Sequence, residues 1–159
     1  MKISIHCIGY LKEAYWKMAV EEYLKRLMPY AQVKIEEYPD VPSKENATSA
    51  MQEKVKDEEG NKILKKLKDN DYLIALDLNQ KQYGSEEFSA HLMNAMEKGG
   101  SHVHFVIGGS LGLSDALKKR ANESVCLSKM TFTHQMTRII LLEQIYRAFK
   151  IAHNEPYHK

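Results

Sequence analysis

Phe105-Val106-Ile107-Gly108-Gly109-Ser110-Leu111-Gly112 decides the fold of this chain. An apolar strand runs directly into a glycine turn. Further on, a second short strand leads to Leu127-Ser128-Lys129-Met130-Thr131-Phe132-Thr133-His134-Gln135, which opens a long helix. Open α/β sheets hold nucleotide-like ligands on loops that leave the carboxyl ends of buried strands. Neither loop has the glycine-lysine-serine/threonine run that cradles a triphosphate, and neither has the spaced glycines of a dinucleotide fold. The expected ligand is adenosine-like without being phosphate-rich.

Outward from these loops, strands and helices alternate. Lys2–Gly9 alternates apolar and polar residues and reads as a first strand. A helix is predicted over Glu13–Met28, with Ala14, Met18, Val20 or Glu21, Leu24 and Met28 at helical spacing, before Pro29 stops it. Gln32–Tyr38 is a second strand bounded by prolines. Ser43 is the expected cap of a long polar helix reaching about Leu67, with Gly60 inside it and sparse apolar positions at Val55, Ile63, Leu64 and Leu67. Asp71–Asp77 has no alternation, which suits a strand buried on both faces. Ser85 is the expected cap of a helix that Gly99-Gly100 ends, and His102–Ile107 is the fourth strand. Ser114 caps a short helix, Glu123–Leu127 is a fifth strand, and Thr133–Ala152 is a final helix apolar on several sides. The pattern predicts a single α/β domain over residues 1–159 with a mostly parallel sheet and flanking helices. A last helix this apolar needs more than one neighbour, which points to a symmetric homodimer.

The chain has 159 residues and a net charge of +2, which permits a nucleic-acid partner without demanding one. Cys7 and Cys126 lie in apolar runs, with no zinc spacing, and read as buried thiols of a reducing cytoplasm. No apolar run reaches membrane-spanning length, so a membrane is not an expected partner; DNA is not an expected partner either.

Several pieces together resemble the ribosomal RNA large subunit methyltransferase H family. They are Gly9-Tyr10-Leu11-Lys12, Leu76-Asp77, Phe105–Gly109 with Gly112, Leu127-Ser128, Met130-Thr131, His134-Gln135, Arg138, Leu142–Ala148 and the tail Pro156-Tyr157-His158. The resemblance spans the chain. It implies a SPOUT-class α/β knot, in which the C-terminal segment threads through a loop as a trefoil knot. It implies S-adenosylmethionine as cofactor, a homodimer, and a substrate in 23S ribosomal RNA of the assembled ribosome, at N3 of a pseudouridine. One departure is visible: Leu78-Asn79-Gln80-Lys81 lacks the glycine that the family often carries there.

The same resemblance implies cofactor contacts at Leu76, Gly108 and the run Leu127, Ser128, Lys129, Met130, Thr131 and Phe132. Glycine at 108 suits backbone approach to a ligand. His134 and Arg138 share a helix face. The pair either meets RNA or packs against a loop and a dimer interface, and Arg138 is retained as a catalytic candidate. Glu143 and Arg147 repeat the spacing and read as a structural pair. The acceptor N3–H must lose a proton, and His158 is the best titratable candidate at neutral pH. Tyr157 and His158 are therefore expected to reach a pocket, that of the partner subunit included. His102 and His104 share one side of a strand without a third ligand, so no metal is expected. The lysines of residues 54–68 and the group Tyr10, Lys12, Tyr15 and Trp16 offer RNA contacts only against blander readings as solvated or packed residues. Two other classes stay open: a non-catalytic RNA-binding module with a regulatory adenosine pocket, and an oxidoreductase, which the missing glycine fingerprint disfavours.

Overall fold

A computed structural model describes residues 1–159. Five strands and five helices alternate as β1 (Lys2–Ile8), α1 (Ala14–Leu27), β2 (Gln32–Tyr38), α2 (Ser49–Leu64), β3 (Tyr72–Leu76), α3 (Ser85–Lys98), β4 (His102–Ile107), α4 (Asp115–Arg120), β5 (Glu123–Val125) and α5 (His134–Ala152). The strands form one sheet in the order β2-β1-β4-β3-β5, and every pairing is parallel. Parallel neighbours need crossover connections, and here helices supply them on both faces.

The strand pleat sends alternate residues to opposite layers. Ile3, Ile5 and Cys7 of β1, with Val103, Phe105 and Ile107 of β4, pack against α1, α3 and α5. Ile8, Leu73, Ala75 and Val106 face the other way, onto Ile63 of α2 and Leu117 of α4. The polar residues of β1 do not face water as a half-buried strand would have it. Ser4 and His6 are buried on the α2 side. His6 lies 2.9 Å from the Tyr38 hydroxyl and 3.0 Å from His104, and Ser4 Oγ lies 2.9 Å from His102. His102 and His104 thus belong to a hydrogen-bonded polar layer of the sheet.

Several helix boundaries differ from expectation. α2 begins later, because Thr48 rather than Ser43 accepts from the Met51 N–H. Gly84 caps α3, which leaves the Ser85 hydroxyl free to donate to Gln144 of α5 at 2.8 Å. Ser114 caps α4 as expected, and Thr133, expected as the first residue of the last helix, is instead its cap. The buried stripe of α1 is Val20 and Leu27, while Met18 and Met28 face outward with Tyr15.

Candidate active site

The carboxyl ends of β3, β4 and β5 lie side by side, and the chain leaving each contributes to one cavity of about 620 Å³. Cavities of roughly 300–1,000 Å³ are the usual size for small-molecule and cofactor sites. The walls are residues 76–78, 107–113, 127–128, 130–135 and Thr137.

Each wall is shaped by local chemistry. A Cβ on Gly108 would stand 2.6 Å from the carbonyl carbon of Gly112, so only glycine lets the two backbones touch. Gly112 adopts φ +87°, a left-handed conformation open to glycine, and it bridges back to Gly109. The loop after β3 has no glycine because Asp77 turns the chain instead. Its Oδ1 accepts from the Asn79 N–H at 3.1 Å, and its carbonyl accepts from Gln80. In the third wall Ser128 Oγ accepts from the Met130 N–H at 3.1 Å, and the Cys126 thiol donates to the Ser128 carbonyl. This wall ends at Thr133, whose hydroxyl accepts from the Met136 N–H and starts α5. The first turn of α5 therefore borders the cavity with the positive end of its dipole.

His134 stands in that turn. Its ring lies against Gly9, 3.0 Å from where a Cβ would be; glycine has no Cβ to clash, and it also tolerates the φ of +98° found there. Burial, with the nearby Arg138 charge second, holds its pKa below the ordinary value, so the ring is neutral. Its buried Nδ1 has no protein partner.

Of the expected cofactor residues, Leu76, Gly108, Leu127, Ser128, Met130, Thr131 and Phe132 line the cavity. Lys129 does not; it lies exposed outside the tight turn that Ser128 makes. None of the three catalytic candidates lines the cavity of its own chain. Arg138 is fully buried, donating to Glu37 Oε2 and to the Gly9 carbonyl, both at 2.7 Å. Its partners are intrachain, on β2 and the end of β1, and the ion pair forms within the chain. The Tyr157 hydroxyl donates to Glu143 at 3.1 Å, with the Arg147 guanidinium 4.6 Å from its ring centre. His158 lies 3.3 Å from Arg147 and 3.7 Å from Glu86. Glu143 and Arg147 pair at 2.6 Å as expected. Sequence reading missed Asp77 and Thr133 as walls, although an aspartate closing a strand and a threonine opening a helix are both recognisable signals.

The walls suit S-adenosylmethionine. Gly108 lies directly on the Gly112 backbone, with no room for a Cβ between them, so this wall presents main chain to the cavity. Leu76, Leu127 and Phe132 offer apolar surface, and peptide groups around Ser128 can read an adenine edge.

The family described as "Predicted SPOUT methyltransferase" matches residues 1–158. The ribosomal RNA large subunit methyltransferase H of Clostridium botulinum (strain Eklund 17B) is 53% identical over all of both chains. The proteins of the same name from Clostridium acetobutylicum and Desulforamulus reducens are each 50% identical, over 100% of this chain and 100% and 99% of theirs. Among solved structures, a Legionella pneumophila methyltransferase bound to S-adenosylmethionine superposes with a TM-score of 0.50 at 13% identity, covering 94% of this chain and 66% of that one. This last likeness concerns the fold. The chain belongs to the SPOUT methyltransferase family, in its ribosomal RNA large subunit methyltransferase H group, and the expected α/β fold and methyltransferase class stand.

Proposed function

We propose that this protein moves the methyl group of S-adenosylmethionine to N3 of a pseudouridine in 23S ribosomal RNA, on the assembled large subunit, as a cytoplasmic homodimer. The observation that carries the reading is the cavity with its glycine-on-glycine wall, joined to full-length relatives named for this activity. The trefoil threading implied by the resemblance belongs to the same reading.

The bound cofactor supplies an electrophilic methyl on a sulfonium. The chain's part is alignment, which alone accounts for much of the rate in a displacement of this kind. Leu76, Gly108 and the backbone of Leu127, Ser128, Met130, Thr131 and Phe132 hold the adenosine, with Lys129 outside that turn. Neutral His134 and the first turn of α5 close the near side. Arg138 fixes the Gly9 segment against which His134 rests.

Tyr157 and His158 serve the partner subunit's cavity, His158 taking the N3 proton. The tail lies along α5 of its own chain and away from its own cavity, which supports that cross-subunit role. Tyr15 and Met18 of α1, and Met130, Phe132 and Met136 around the start of α5, are exposed apolar side chains that a second copy would cover. No helix is long and apolar enough to cross a membrane.

Mass spectrometry of large-subunit RNA from cells lacking this protein tests the proposal. One pseudouridine should lose its methyl group and regain it on complementation. An unchanged methylation pattern refutes the activity. S-adenosylmethionine binding without transfer to unmodified ribosomes would favour a regulatory RNA-binding module instead.

A further inference from the structure

α2 is a polar helix with a carboxylate in its inward stripe. Val55, Glu59 and Ile63 follow at intervals of four, so they share a face. Ile63 packs under the sheet, and Glu59 is only 4% exposed. A carboxylate in such a place is unfavourable unless its oxygens are engaged. Glu59 Oε2 accepts from the Val41 N–H at 3.0 Å. Both its oxygens lie 3.4 Å from where a Cβ on Gly109 would stand. Burial pushes its carboxyl up, with the Val41 N–H opposing. Asp40 and Lys62 are the charged groups nearby; the Gly109 and Ser114 side contributes no charge.

The next residue continues the contact. A Cβ on Gly60 would meet Ser114 Oγ at 2.5 Å, so α2 can approach the 108–114 segment only through a glycine. Ser114 in turn caps α4. Glu59 and Gly60 thus form a floor beneath the loop whose upper surface, from Gly108 to Leu113, lines the cavity. Glu59 does not itself line the cavity.

We infer that Glu59 is a positioning residue for the methyl donor: its carboxylate, held by the Val41 N–H, packs against the underside of Gly109 and so supports the backbone on which the donor rests. This rests on the reading of the cavity as the donor site. Calorimetric titration of the full-length protein with S-adenosylmethionine tests it, with steady-state methylation of unmodified ribosomes alongside. Glu59→Ala should raise Kd and donor KM about tenfold, the upper range for one lost hydrogen bond, while saturating donor restores kcat. Glu59→Gln keeps an acceptor for the Val41 N–H at equal volume and should bind nearly as wild type. Should the alanine variant fail to fold, Glu59→Asp replaces it, with a several-fold rise in Kd expected from its shorter reach. Wild-type affinity in the alanine or aspartate variant overturns the inference, and so does a glutamine variant as weak as alanine. Gly108→Val separates the two readings. If it abolishes binding while Glu59→Ala binds normally, only the role of Glu59 fails. If it binds normally, the cavity is not the donor site and both readings fall.

Discussion

Replacing Arg138 by alanine should cost stability first and activity second. The guanidinium is 1% exposed and holds two partners, Glu37 Oε2 and the Gly9 carbonyl, each at 2.7 Å. Glu37 Oε2 also accepts from the Leu11 N–H at 2.9 Å, so one cluster ties α5 to the chain leaving β1 and to β2. Breaking a buried ion pair by removing one member usually costs about 3–5 kcal/mol. Glu37 is 33% exposed and can rehydrate, which places the loss near the lower end, about 3 kcal/mol. In a chain of this length that lowers Tm by roughly 6–12 °C. Thermal unfolding at one fixed protein concentration is the assay, because a dimer's midpoint depends on concentration. Arg138→Lys keeps the charge but loses the fork, and should fall between. An alanine variant with Tm within about 2 °C of wild type and no methyl transfer would refute this reasoning. Arg138 would then act on substrate instead of holding the Gly9 segment.

Gly108→Ala places a methyl 2.6 Å from Gly112, so S-adenosylmethionine affinity measured calorimetrically should fall by more than about tenfold, a displaced wall losing several contacts at once. Gly60→Ala meets Ser114 Oγ and should destabilise by about 1–3 kcal/mol in urea unfolding. Burial, chiefly, holds His6 neutral with a pKa of about 4, and His104 shifts the same way. The unfolded chain therefore binds protons that the native chain refuses. Stability is unaffected by His6 above pH 6.5 and falls as pH drops from there toward 4, by about 2 kcal/mol at pH 5. Urea midpoints from pH 7.5 to 4.5 check the sign, and a curve no steeper in wild type than in His6→Gln contradicts it. Deleting residues 156–159 should leave S-adenosylmethionine Kd unchanged and slow methyl transfer about a hundredfold or more, an ordinary general-base contribution; an unchanged rate refutes the role of the tail.

The strand order could not be read from the chain, but the elements could. β2 matches its expected bounds because prolines flank it, and the unbroken apolar run at Tyr72–Leu76 announced a central strand. Where local chemistry and packing compete, the reading slips. Thr48 displaces Ser43 as a cap because Val41 is held back by Glu59, eighteen residues on. Met18 and Met28 look like core by spacing, yet the buried positions are Val20, one of the expected alternatives, and Leu27, which the spacing did not pick out. The cavity loops were legible through their glycines and the strand ends before them. Glu59 was not, because a glutamate in a lysine-rich helix looks like solvated surface until the fold turns it inward. The inward pull of Arg138 also depends on a partner, Glu37, a hundred residues away in sequence.

The direct test is a crystal structure of the protein soaked with S-adenosylmethionine. The adenosine should lie between Leu76, Gly108 and the Leu127–Phe132 backbone. Density for the compound elsewhere, or a cavity filled by the chain's own side chains at saturating ligand, would contradict the account.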